Sequence, residues 1–87
     1  MTPGQLLQIR NGFYVQTFFR NPIHNRYRED IASTRGAICL ENGTLCLLLD
    51  QMTCVVNGFY SILVEVLMDT GQIFVIGQMN IEEIKSE

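Results

Sequence analysis

Eighty-seven residues, 47% hydrophobic and only 17% charged, are too apolar and too weakly charged to stay disordered and too few for more than one domain. The formal net charge of −3 argues against general affinity for nucleic acid, whose phosphates need a net positive potential. Cys39, Cys46 and Cys54 are an odd number with spacings of seven and eight, which lack the close pair of a structural zinc site; reduced, buried thiols in a cytoplasmic setting are expected, with no metal and no cofactor.

In chain order, Pro3-Gly4 opens the domain, and Gln5 to Arg10 reads as a short strand with Leu7 and Ile9 on one face. The opening residues have no basic segment followed by an apolar one, so export by a signal peptide is not expected. Residues 11–35 differ in texture and read as an elaborated loop inserted in the domain. Asn21-Pro22 stops any strand there, because proline cannot donate to a ladder. Beyond it, two readings stay open. Asn21 as a cap, Pro22 at the first helical position and Ile23, Tyr27 and Ile31 at four-residue spacing suit a short helix within 21–33. The competitor is an irregular excursion whose aromatic residues pack over the rest of the domain.

The second half carries the clearest signal. Thr44 to Leu49, Phe59 to Met68 and Gln72 to Ile76 are rich in branched and aromatic residues, broken at Asn57-Gly58 and Asp69-Thr70-Gly71, where reversal needs permissive backbone. Met79-Asn80-Ile81 reads as a single 3₁₀ turn and Glu82 to Ile84 as a last short strand. Asn-Gly-Phe-Tyr occurs at 11–14 and again at 57–60, which turn chemistry explains better than an internal repeat. Leu45 to Leu49 and Ile62 to Met68 are apolar on both faces apart from Cys46 and Glu65, so their outer face needs a cover: the 11–35 segment, a partner or another copy.

Charge is polarised along the chain. Residues 1–35 hold five arginines against Glu29 and Asp30, a balance of +3, whereas residues 36–87 hold Lys85 against seven acids, a balance of −6. Arginine makes bidentate contacts and stacks on rings, and the arginines of this segment interleave with aromatics. The contact residues expected from this pattern are Phe18, Phe19, Arg20, Arg26, Tyr27 and Arg28, since arginine and aromatic side chains dominate interface energetics. No catalytic residue is assigned. His24 is the lone histidine, in a polar stretch, and no serine, glycine or carboxylate spacing forms a catalytic or phosphate-binding motif.

The Pro-Gly-x-Leu-Leu-x-Ile opening, the Gly43 to Leu49 strand, the Val64 to Phe74 hairpin around Asp69-Thr70-Gly71 and the closing Asn80-Ile81-Glu82-Glu83-Ile84 together resemble an SH3-like small β-barrel. The likeness is to the stand-alone barrels among small phage-encoded proteins and, more distantly, to KOW and Tudor modules; it covers most of the chain except residues 11–35. It implies an all-β fold, a five-stranded barrel with a long first loop. It also implies a non-enzymatic role in protein docking or assembly, self-association included, in the cytoplasm or a virion. The alternative is a small barrel that binds single-stranded nucleic acid through the arginine- and aromatic-rich loop. Neither reading involves a membrane or a small-molecule substrate. The departures are the absence of tryptophan and a basic first loop where peptide-binding SH3 domains carry an acidic one.

Overall fold

A computed structural model describes residues 2–21 and 30–84. They form the strands β1 Leu6–Ile9, β2 Val15–Asn21, β3 Asp30–Ile38, β4 Leu45–Val56, β5 Phe59–Met68, β6 Ile73–Gly77 and β7 Ile81–Glu83, with a 3₁₀ turn at Gln78–Asn80 before β7 and no α-helix among the described residues. The all-β expectation holds. The count and closure differ: seven strands, not five, make one sheet in the order β3-β2-β6-β5-β4-β1-β7, and the end strands β3 and β7 do not pair to close a barrel. The sheet is antiparallel except where β3 touches β4 in two parallel pairs, Asp30 with Cys54 and Ile31 with Val55.

Turn chemistry sets the β4-β5-β6 meander. Asn57 and Gly58, at φ 51° and 83°, supply the two left-handed positions of a two-residue hairpin between β4 and β5. Gly71, at φ 87°, ends the turn from β5 to β6, where the Met68 amide donates to the Gln72 carbonyl at 2.8 Å. The first Asn-Gly works differently. Asn11 is left-handed, but Gly12 is buried, and a Cβ there would overlap the Leu40 carbonyl oxygen. The Leu40 amide donates to the Gly12 carbonyl at 2.7 Å, and the Gly12 amide donates to Asn42 Oδ1 at 2.7 Å, which fixes the start of the segment that leads into β2.

That segment is the main departure from the sequence reading. Residues 11–35, read as an elaborated loop, carry β2 and the first part of β3, paired from Val15 with Ile38 to Asn21 with Ile31 around an irregularity between Thr17 and Phe18. The helix drawn within 21–33 meets strand at both ends, since Asn21 closes β2 and residues 30–33 open β3. The ladder pairs Asn21 with Ile31 directly, so the Ile23, Tyr27, Ile31 spacing does not make a helical face through Ile31. Residues 22–29 of that reading lie outside the described residues.

Two cores result, on opposite faces of the same strands. The first gathers Leu7, Ile9, Val15, Cys46, Leu48, Val64, Val66, Met68, Ile76 and Ile81; the second gathers Ala32, Met52, Cys54, Leu63 and Val75, with Phe18 and Val56 packed against it. Neighbours on a strand point to opposite faces, so Leu63 beside Val64, and Val75 beside Ile76, place the cores back to back across β5 and β6. On β4 the even-numbered Cys46 and Leu48 serve the first core and the even-numbered Met52 and Cys54 the second. A bulge makes this possible: pairing steps from Leu48–Val66 to Asp50–Glu65, and the extra residue, Leu49, inverts the alternation.

Two stability measurements test these devices. Removing Leu49 turns Met52 and Cys54 away from the second core, and chemical denaturation is expected to show a loss of more than about 3 kcal/mol or no cooperative transition. Gly12→Ala is expected to cost about 2 kcal/mol through the clash with Leu40, whereas Gly36→Ala, with open space at its Cβ, stays within about 0.5 kcal/mol.

Candidate functional site

The face of β4, β5 and β6 that carries the second core is only half covered. At the hairpin-turn end, the β2-β3 pair lies over it, with Ala32 and Phe18 against Met52, Cys54, Leu63 and Val75. At the other end, register places Leu6, Leu47, Leu67 and Ile73 directly opposite one another across β1, β4, β5 and β6. These four share a face with Leu63, because β5 alternates Leu63, Glu65, Leu67. Nothing among the described residues covers them. Leu6 is 49% exposed, Ile73 52% and the neighbouring Leu45 47%, and a cleft of about 210 Å³ runs between Leu6, Leu45, Leu47, Leu67 and Asp69.

Acids border this apolar row on both sides. Asp50 pairs with Glu65 one step toward the second core on the same face, and Glu82 pairs with Gln8 one step the other way, where Gln8 Nε2 donates to Glu82 Oε1 at 2.8 Å. Asp69 lines the cleft itself. Of the described basic side chains, Arg10 lines a neighbouring cleft together with Glu82 and its Nε donates to the Met79 carbonyl at 2.8 Å, while the Arg35 guanidinium sits 5.4 Å from the centroid of the Phe19 ring.

The expected contact residues separate. Phe18 faces the second core and is partly buried there, while Phe19, the next residue, points the other way and stays 51% exposed beneath Arg35. Arg20 lies in β2, paired with Ala32. Arg26, Tyr27 and Arg28 lie outside the described residues, as does His24. The sequence reading did not name Leu6, Leu47, Leu67 or Ile73. Its signal for them was the two-sided apolar texture of β4 and β5, which cannot say where cover ends without the register.

Another cleft, about 380 Å³, is lined by Gly77, Phe18, Leu63, Met79, Gln16 and Asn80. It holds one hydroxyl, that of Ser61, and no titratable side chain, so it offers no acid, base or metal ligand. Asn80 is occupied structurally, donating from Nδ2 to the Asn11 carbonyl at 3.2 Å. Burial pushes the Cys46 thiol above its ordinary value of 9.0, which holds it protonated and unreactive at neutral pH. Among the described residues no group of three His, Cys, Asp or Glu gathers as metal ligands, and no helix is long and apolar enough to cross a membrane. No family model, no curated protein and no solved structure matches this chain.

The covered and uncovered halves of this face respond differently to substitution. Leu63→Ala empties a site that is 1% exposed and is expected to cost 2–5 kcal/mol by denaturant titration. Ile73→Glu, on the same face but half in water, is expected to remain within about 1 kcal/mol of the parent.

Proposed function

We propose that the protein is a non-enzymatic docking module that holds a protein partner on the row Leu6, Leu47, Leu67 and Ile73. One observation carries this reading: the chain covers one half of an apolar sheet face with its own hairpin and leaves the other half exposed between acids. An apolar patch rimmed by polar groups is the surface by which a soluble protein binds another. The acidic border argues against a phosphate backbone on this surface and favours a partner with apolar residues flanked by basic ones.

The scaffold reading is an SH3-like small barrel. Setting aside β2 and β3, the remaining strands follow the order β7-β1-β4-β5-β6 with a 3₁₀ turn before β7, and the β2-β3 hairpin occupies the elaborated first connection. This order of strand, excursion, meander, turn and strand supports the resemblance.

Binding on the row alone is weak. Burying what remains exposed of the half-exposed Leu6, Leu45 and Ile73 returns about 1 kcal/mol each, and the partly buried Leu47 and Leu67 add less. Association costs at least about 4 kcal/mol in lost freedom, so a useful affinity needs charge pairs as well. Selection of a displayed random-peptide library on the parent protein, with the Ile73→Glu variant as competitor, tests this. Enriched peptides are expected to carry a large apolar residue next to arginine or lysine and to bind the variant at least tenfold more weakly. Peptides that bind both proteins equally, or no enrichment at all, would overturn docking on the row.

A further inference from the structure

We propose that Asn57 is a site of spontaneous modification, where the folded chain's own backbone converts an asparagine to aspartate and isoaspartate. A difference among three identical dipeptides carries this.

Asparagine followed by glycine occurs at 11–12, 42–43 and 57–58. Glycine has no side chain to screen its backbone nitrogen, so in an unfolded chain each pair is open to the same ring closure. The glycine amide loses its proton, its nitrogen bonds to the asparagine Cγ, and the Cγ–Nδ2 bond breaks with release of ammonia. Water then opens the succinimide at one carbonyl or the other and leaves aspartate or its β-linked isomer. Water enters, ammonia leaves, and nothing is oxidised or reduced. Closure requires the peptide unit between the two residues to turn until the glycine nitrogen stands alongside the asparagine Cβ.

Two of the three units are tied. Turning the one between Asn11 and Gly12 breaks the bond from the Gly12 amide to Asn42 Oδ1 at 2.7 Å and the bond from Asn80 Nδ2 to the Asn11 carbonyl at 3.2 Å, and Gly12 is buried. At the second pair the Gly43 amide donates to the Ile9 carbonyl at 2.8 Å, while the Asn42 carboxamide is the acceptor for Gly12. Each of these pairs holds its nucleophilic nitrogen in a hydrogen bond.

The third unit turns without breaking one. Asn57 and Gly58 are exposed, and among the described residues no hydrogen bond forms to the Asn57 carboxamide, the Asn57 carbonyl or the Gly58 amide. Their φ angles of 51° and 83° are those of a type I′ turn. Flipping the single peptide unit between them gives type II′, the other turn that suits a two-residue hairpin, and carries Asn57 to a ψ of about −120°. At that angle the Gly58 nitrogen eclipses Asn57 Cβ, the disposition the ring demands. Glycine accepts the accompanying change in the sign of φ, and the pairing of Val56 with Phe59 is kept. The reactive geometry is thus reached within the native ladder. The product sets a carboxylate beside the exposed Phe59 and Tyr60, and the isomer adds a methylene to the main chain of a two-residue turn.

Incubation of the full chain, native and in denaturant, at neutral and mildly alkaline pH tests this. Mass spectrometry of proteolytic fragments reads each site, with electron-transfer fragmentation distinguishing isoaspartate from aspartate. In the native protein Asn57 is expected to convert at least about tenfold faster than Asn11 or Asn42, since each of those must first break two hydrogen bonds. Both products are expected, at a rate that rises with pH because the deprotonated amide attacks. In denaturant the three sites are expected to converge. Native Asn11 or Asn42 converting as fast as Asn57 would overturn the inference, as would native Asn57 still intact once the denatured chain has converted. Aspartate formed without isoaspartate is direct hydrolysis and overturns it too.

Discussion

Burial of β5 and β6 on both faces is the constraint from which the rest of the architecture follows. A strand in a small single-core domain spends half its side chains on water, but here Leu63 and Val64, adjacent in sequence, are both almost fully withdrawn from solvent, as are Val75 and Ile76. A second layer must therefore exist on the far side, and the chain makes it from its own β2-β3 hairpin. The Leu49 bulge is the local device that lets one partner strand serve both layers. Without it β4 would not supply both layers with apolar side chains, since Met52 and Cys54 would turn away from the second core and Gln51 and Thr53 toward it. With about 60–65% of the unfolded surface buried in a chain of this length, splitting the apolar residues into two small cores leaves each of them shallow. It also leaves one of the two faces unfinished.

The legible part of the fold was the part written in backbone chemistry. Asn57-Gly58 and Asp69-Thr70-Gly71 marked the reversals, Leu7 and Ile9 marked the buried side of β1, and Asn21-Pro22 marked the end of β2, because each rests on a steric or hydrogen-bonding fact about one or two residues. The hairpin in residues 11–35 was not legible for an equally local reason. Asp30 to Ile38 contains Ala32, Ser33, Thr34, Gly36 and Ala37, a run with little branched or aromatic character, and the chance spacing of Ile23, Tyr27 and Ile31 imitated a helix. β3 is strand because its partner β2 and the second core hold it there, and neither is visible in a window of nine residues. The extension of β4 past Leu49 was hidden in the same way, by Asp50 and Gln51, which the bulge accommodates.

The same distinction governs the candidate site. The sequence reading recognised that β4 and β5 carry more apolar surface than one core can use, and it named the 11–35 segment, a partner or another copy as cover. The hairpin answers for one end of the face; the other end is the row. Choosing Phe18 and Phe19 together as contact residues ignored the alternation that puts one ring inward and the next outward, which becomes definite only once Thr17 is tied to Ile76 by pairing. The row itself is a product of register: Leu6, Leu47, Leu67 and Ile73 are scattered over sixty-eight residues of sequence and adjacent in the sheet.

Polar groups beside an apolar patch decide what kind of association it can enter. The row lies between Asp50 and Glu65 on one side and Glu82 on the other, so a partner must answer charge as well as fill apolar space. The apolar term, a few kcal/mol at most, keeps any single contact on the row reversible. Because pairing on β1, β4, β5 and β6 sets the four apolar side chains in one line, that surface is formed before a partner arrives.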